Sequence, residues 1–386
     1  MSQHRPPAPL PPVDGHLFAP LKMRSLSFRN RIAVSPMCMY SCANQDGMAN
    51  DWHMVHLGGR AVGGAALVFT EATAVSAEGR ISPLDLGIWT DRQAEALAPI
   101  VAFIKSQEAV SGIQLAHAGR KASTREPWSP PSGQVPAANG GWQPVAPSAL
   151  PFSPADRPPQ ELTAPEIERI VSDFAAAARR ALKAGFQVIE VHAAHGYLIH
   201  EFLSPLSNQR LDAYGGSLAN RFRFLGQVVR AVQDEWPDGL PLWVRLSATD
   251  WAGAAGWDID ETVQISRWLR DLGVDVIDCS SGGTLQGARI PEAPGYQVGF
   301  ASRVRREANV ATAAVGLITT PEQADQIIRS GDADMVLLAR AMLRNPYWPM
   351  TAAHELSAEV RWPNQYLRAR PKPRPPQRPV PGTDPQ

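Results

Sequence analysis

The stretch EVHAAHGYLIHEFLSPLSNQRLDAYGGS, residues 190–217, ends a strand-like apolar run with two histidines three apart and a tyrosine two further on. Imidazole and phenol are side chains that hold and move protons. His192 and His195 can ligate a metal. They can equally donate two hydrogen bonds to one ligand atom while Tyr197 delivers a proton beside them. A second pair, His53 and His56 in DWHMVH, has the same spacing, and four imidazoles could hold zinc or copper. That pair reads as the start of a helix, away from any shared rim. No H-x-H and no diagnostic carboxylate cluster completes a dinuclear centre, so no metal site is expected.

These residues need elements to aim them. Apolar runs recur at Ile32–Ser35, Leu67–Glu71, Gly112–Leu115, Val188–His192, Leu242–Leu246, Val276–Ser280, Thr312–Val315 and Met335–Ala339. They are rich in Val, Ile and Leu and seldom alternate with polar residues, the pattern of strands covered on both faces. Helical patterns lie between them. The clearest is TAPEIERIVSDFAAAARRALKAG, with Thr163 and Glu166 spaced as a capping box and Gly185 as the stop. Strand–helix alternation in one run predicts an α/β fold, a single-domain (β/α)8 barrel. A doubly wound sheet is the alternative, but no G-x-G-x-x-G follows the first strand. After the third strand comes a long Pro-, Gly- and Trp-rich stretch with Trp128, Trp142 and Phe152, expected to be an ordered excursion over the barrel mouth.

Barrel chemistry sits at the C-terminal ends of the strands. Those ends carry Cys38 and Tyr40 in SPMCMY, Gln114 before HAGRK, the His/His/Tyr group, and Arg245 in WVRLSATDW. A buried guanidinium needs an anion. Arg245 either pairs with an acid such as Glu190 or awaits an anionic ligand. Glycine-bearing turns after the seventh and eighth strands suit a phosphate, held by backbone N–H groups.

The chain has 386 residues, 44% of them hydrophobic, enough for a large core. Its 37 basic and 37 acidic residues cancel, which argues against nucleic acid or a membrane surface as partner and for a small molecule. Three cysteines, Cys38, Cys42 and Cys279, do not make a disulfide framework. No signal peptide and no membrane-spanning apolar run is visible, so a cytoplasmic setting is expected. Residues 1–15 and 370–386 are proline-rich and are expected as disordered tails flanking the barrel at 16–369, the second of them basic.

The motifs NRIAVSPMCMYS, DWHMVHLGGRAVGGAALVFTEATAV, EGRISP, IQLAHAGRKAS, VIEVHAAHGYLIHEFLSPLSNQRLDAYGGSLANRFRF, VRLSATDW, PGYQV and AVGLIT resemble the Old Yellow Enzyme family of flavin-dependent ene-reductases, in its thermophilic-like, xenobiotic-reductase branch. The resemblance covers about residues 16 to 370. It implies an FMN-containing barrel that reduces activated alkenes with electrons from NADPH or NADH. It also implies that Ser35, Pro36, Met37, Cys38 and Ala72 line the flavin ring. Gln114 and Arg245 would meet its pyrimidine and ribityl atoms. Gly316, Leu317, Ala339 and Arg340 would hold the phosphate, with Ala339 standing where relatives often have glycine. His192 and His195, with Tyr40 nearby, would bind the substrate oxygen, and Tyr197 would be the proton donor. Arg368 resembles an arginine that reaches a neighbouring subunit's active site, which implies a homodimer or homotetramer.

Overall fold

The computed structural model describes residues 5–7, 9–11 and 15–372, and in it the eight apolar runs form one closed barrel. A short antiparallel hairpin, β1 (Leu21–Met23) and β2 (Leu26–Phe28), precedes it. The barrel strands are β3 (Ile32–Val34), β4 (Leu67–Ala74), β5 (Val110–Ala116), then β8 (Val188–Ala193), β9 (Leu242–Ser247), β10 (Val276–Ser280), β11 (Ala311–Ala314) and β12 (Met335–Leu338). Every neighbouring pair is parallel, and β12 pairs with β3 to close the ring. Two further strands, β6 (Val145–Ala146) and β7 (Gln160–Glu161), pair within the excursion after β5.

Helices wrap the outside: α1 (Asp51–Val62), α2 (Asp91–Ser106), α3 (Ala164–Ala184), α4 (Leu198–Leu203), α5 (Leu218–Glu235), α6 (Ile259–Asp271), α7 (Val298–Ala308), α8 (Pro321–Arg329), α9 (Arg340–Arg344) and α10 (Trp348–Glu355). The capping box forms as the sequence predicts: Glu166 accepts from the Thr163 N–H at 2.8 Å, and Gly185 closes α3 at φ +91°.

Two apolar layers hold the barrel. The larger lies between strands and helices. The smaller fills the interior, where Phe69, Trp243, Val276 and Met335 pack with hairpin residues Leu21 and Phe28. Phe69 and Trp243 meet edge to face at 5.5 Å. Each such buried ring contributes about 2–3 kcal/mol of transfer free energy. One end of the barrel is thereby sealed, and the opposite end is free for polar side chains.

Part of the expected N-terminal tail is built into that sealed end. Arg5 is buried, and its Nη2 donates to Asp275 Oδ2 at 2.6 Å. Arg24 holds the other carboxylate oxygen at 2.6 Å, and the Leu242 N–H donates to Oδ2 as well. The described residues of this tail form no helix or strand, as expected, but a buried acid recruits the arginine just ahead of the prolines. Residues 370–372 are exposed, and the rest of the expected C-terminal tail lies outside the described residues. The excursion after β5 is ordered: Trp142 Nε1 donates to the Glu78 carbonyl at 2.8 Å, and Arg80 stacks on Trp142 at 4.9 Å.

Asp275→Ala leaves Arg5 buried without its counter-charge. It is expected to lower unfolding free energy in urea by about 3–5 kcal/mol, the usual cost of half a buried pair. A change under about 1 kcal/mol would show that the Arg5 contact is not maintained in solution.

Candidate active site

The open end is built in layers, because inward-facing residues recur every second position along a strand. Gln114 on β5 is in register with Ala72 on β4 and Glu190 on β8. The β4–β5 ladder slips between Phe69 and Ala72, a bulge at the rim. Gln114 Nε2 donates to Glu190 Oε1 at 2.7 Å. Arg245 on β9 is in register with His192 and Asp278. Its Nε lies 3.0 Å from Asp278 Oδ2, and its Nη2 donates to Ser35 Oγ at 3.3 Å. The sequence left Arg245 between Glu190 and an anionic ligand. In the structure Asp278 is its partner, and Glu190 turns to Gln114. Burial and the neighbouring Asp278 push Glu190 well up, so Glu190 keeps its proton while Asp278 faces the guanidinium. Arg245 Nη1 and Gln114 Oε1 have no hydrogen bond among the described residues.

Above this floor stand the opening residues. His192 Nδ1 accepts the Ala194 N–H at 3.3 Å, which puts the ring proton on Nε2. His195 is held through Nε2 by Ser280 Oγ at 2.7 Å and through its N–H by Ser247 Oγ at 2.9 Å. Ser280 and Ser247 are register neighbours, one pleat above Asp278 and Arg245. The His192 ring lies 5.2 Å from that of His195 and 5.1 Å from that of Tyr197, both edge to face. Burial and then Arg245 push both imidazoles well below their ordinary value, so both are neutral near pH 7. Burial, with Cys38 and Tyr40, pushes the Tyr197 phenol up, so it keeps its proton. His192 Nε2, His195 Nδ1 and the Tyr197 hydroxyl have no hydrogen bond among the described residues. His195 and Tyr197 retain surface open to the mouth.

Ser35, Pro36, Met37, Cys38 and Tyr40 follow β3 along the same rim. Glu71 at the β4 rim fixes them: its Oε2 accepts the Met39 N–H at 2.9 Å, and its Oε1 lies 3.3 Å from His53 Nε2. His53 Nδ1 accepts the Asn50 N–H and caps α1. His53 and His56 thus belong to α1, and no metal-holding group of three His, Cys, Asp or Glu side chains occurs among the described residues. Burial, with Asp85 and Glu71, raises the Cys38 thiol well above its ordinary value. Tyr40 meets Trp128 of the excursion edge-on at 5.5 Å.

Beside the rim, Gly316, Leu317, Ala339, Arg340, Arg344, Ser280 and Tyr296 line a cavity whose wall has two arginines and no acid. Gly316 has φ +118°, and a Cβ there would meet Gln297 Nε2 at 2.7 Å. Ala339 has φ −101°, so the turn does not demand the left-handed backbone that favours glycine. Arg368, in the single-turn segment Asn364–Ala369, is exposed and makes no hydrogen bond or ion pair among the described residues.

A family model described as NADH:flavin oxidoreductase / NADH oxidase matches residues 16–359. The chain belongs to that family. An NADPH dehydrogenase of Geobacillus sp. strain WCH70 is 49% identical over 356 residues, 92% of this chain and 99% of that protein. Among solved structures, morphinone reductase superposes with TM-score 0.73 at 28% identity, over 91% of this chain and 92% of its own. An old yellow enzyme homologue from Zymomonas mobilis gives 0.73 at 27%, over 90% and 94%. This NADH:flavin oxidoreductase is therefore an FMN enzyme of the Old Yellow Enzyme type with a nicotinamide reductant. Its own residues fit the cofactor. The acid-free, two-arginine cavity suits a phosphate dianion. The free Arg245 and Gln114 atoms suit the donors and acceptors of a pyrimidine edge.

Sequence reasoning missed Lys121, although it sits in the quoted HAGRK. Its Nζ donates to the His195 carbonyl at 2.9 Å and lies 4.9 Å from the Tyr197 ring centre. Burial pushes this amine down to about 8. Asp278 and Ser280 were also unassigned, because nothing in a strand's sequence says which neighbour its side chains meet.

Arg245→Met is expected to weaken FMN retention at least about tenfold, the worth of one charge-assisted hydrogen bond. Flavin released through a desalting column reads this out directly. Full retention would remove Arg245 from the cofactor site.

Proposed function

We propose that the chain is an ene-reductase that saturates the C=C bond of α,β-unsaturated carbonyl or nitro compounds. The observation that carries this reading is the convergence of two neutral imidazoles and one protonated phenol, each with an unengaged polar atom, over the Arg245 floor. When bound, FMN supplies the hydride to the alkene and is itself recharged by NADPH or NADH.

His192 and His195 hold the substrate's electron-withdrawing oxygen. Negative charge builds on that oxygen as the β-carbon is reduced. N–H donors aimed there bind the transition state more strongly than the ground state. Neutral rings suit this task, because each keeps its N–H and neither gives up a proton prematurely. Tyr197 then transfers its phenolic proton to the α-carbon. Lys121, against the Tyr197 ring, stabilises the charge left on the phenol oxygen. Tyr40, Trp128 and Met37 supply apolar walls that exclude water. Ser35–Cys38 and Ala72 line the flavin ring, with Gln114 and Arg245 at its pyrimidine edge. Gly316, Leu317, Ala339 and Arg340 hold the phosphate. Cys38 stays a thiol and adjusts the fit rather than forming a bond, since burial, with the Asp85 and Glu71 carboxyl groups nearby, disfavours its thiolate. The three free cysteines agree with a reducing, cytoplasmic setting.

Tyr197→Phe is expected to leave flavin bleaching by NADPH nearly unchanged in stopped flow and to slow reoxidation by cyclohexenone roughly 10²–10⁴-fold, the worth of a placed general acid. The loss should be smallest for nitroalkenes, whose nitronates can leave unprotonated. Equal slowing of both half-reactions, or of neither, would remove Tyr197 as the donor.

Arg368 completes the site of a second subunit in this reading, supported by its exposed position and by a side chain without a hydrogen bond or ion pair among the described residues. A chain ending at Gln365 is expected to keep FMN and lose roughly tenfold in alkene affinity. Unchanged affinity would refute the shared site.

A further inference from the structure

Behind the turn that carries His195 and Tyr197 lies a buried polar chain that the chemistry above does not use. His195 and Gly196 take left-handed backbone, φ +61° and +69°. A Cβ at Gly196 would meet the Gly283 carbonyl oxygen at 2.2 Å, so the turn has no slack on that side. Its three peptide N–H groups are all engaged: His195 with Ser247 Oγ, Tyr197 with the Ala194 carbonyl, and Gly196 with His200 Nδ1 at 2.9 Å.

The last contact fixes a protonation pattern. A backbone N–H can only donate, so His200 Nδ1 is an acceptor and a neutral ring carries its proton on Nε2. Nε2 lies 3.2 Å from Asp250 Oδ1, within ion-pair distance but without a formed hydrogen bond, and neither atom has a hydrogen-bond partner among the described residues. The second Asp250 oxygen is committed elsewhere: Oδ2 accepts the Ser204 hydroxyl at 2.6 Å and the Trp257 N–H at 3.0 Å. Thr284 Oγ1 stands 3.0 Å from His200 Nδ1. Both His200 and Asp250 are fully buried. Burial works to raise the Asp250 carboxyl, but His200, Ser204 and the Trp257 N–H outweigh it and hold it at about 2.

We propose that Asp250 and His200 form a tautomer lock, a positioning pair that keeps His200 as the acceptor for Gly196 and so sets the pitch of the turn presenting His195 and Tyr197 to the substrate. The opposite tautomer would set Nδ1–H against the Gly196 N–H; Thr284 Oγ1 can take the ring proton, but the Gly196 N–H is then left a buried donor without an acceptor. The charged Asp250 forbids it, because a carboxylate can only accept. The proposal rests on reading His195 and Tyr197 as substrate-facing groups.

Asp250→Asn makes the lock testable. The amide must place its oxygen where Ser204 and Trp257 donate, which turns its NH2 toward His200 Nε2. Nε2 then becomes the acceptor, and the proton moves to Nδ1. Nitrogen-15 NMR of histidine-labelled holoenzyme at neutral pH is expected to show His200 protonated on Nε2 in the native enzyme and on Nδ1 in Asp250→Asn. Alkene turnover should fall by at least about tenfold in that variant, with FMN still bound. A native His200 protonated on Nδ1 overturns the proposal, as does a flavin-loaded Asp250→Asn enzyme with native turnover. Should Asp250→Asn fail to fold, the native tautomer remains decisive. A second pair of variants then compares turnover. His200→Asn keeps an acceptor at the Nδ1 position and is expected to outperform His200→Leu by about tenfold. Equal turnover of the two overturns the lock. Tyr197→Phe tests the ene-reductase reading separately and is expected to leave the His200 tautomer unchanged.

Discussion

One guanidinium facing two buried carboxyl groups organises the open end of this barrel. Arg245, Asp278 and Glu190 are all enclosed, and three elementary charges cannot coexist there without a net negative one. The structure resolves the imbalance by pairing Arg245 with Asp278 and leaving Glu190 protonated beside Gln114. The result is a nearly neutral floor with one cationic edge still free. That edge is what a ring with an electron-rich pyrimidine side requires. Burial first, and then this cation, hold His192 and His195 well below the ordinary imidazole value, so both rings above the floor are neutral.

The two tasks are separated by the two-residue period of the strand. Glu190 and His192 are two apart on β8, Arg245 and Ser247 on β9, and Asp278 and Ser280 on β10. The lower member of each pair belongs to the floor. The upper member is, or holds, one of the two histidines of the opening motif: His192 itself, and Ser247 and Ser280 gripping His195. Closing the strands into a barrel brings the pairs together across 88 residues of sequence from Glu190 to Asp278 without any local motif linking them. The proposed proton donor is placed differently. Tyr197 sits beyond the strand on a turn, and its position depends on the groups behind that turn and on Lys121 beside it.

Much of this was legible in the sequence, and the reason is physical. Doubly buried strands write themselves as largely apolar runs that seldom alternate with polar residues, and all eight runs proved to be barrel strands. Capping chemistry is local, so Thr163, Glu166 and Gly185 ended α3 where expected. The residues at strand ends could be named from the sequence, and the roles proposed for them came through the resemblance. Pairings across strands were not. Glu190 was the natural partner for Arg245 by proximity to the opening motif, yet register put Asp278 beside the guanidinium. The role of Arg5 was not legible because its partner, Asp275, lies 270 residues away. His53 falls on α1, where the sequence placed it, and its partners Asn50 and Glu71 make it a cap and a strut.

The central claim is that His192 and His195 form a site for an oxygen that carries negative charge. The most direct test is a spectrophotometric titration of the holoenzyme with para-substituted phenols of graded acidity, following the long-wavelength absorbance that a phenolate stacked on flavin produces. The account predicts that affinity rises steadily with phenol acidity and that the trend flattens in His192→Ala. Affinity that ignores acidity in the native enzyme, or a trend that survives the loss of His192 unchanged, would contradict it.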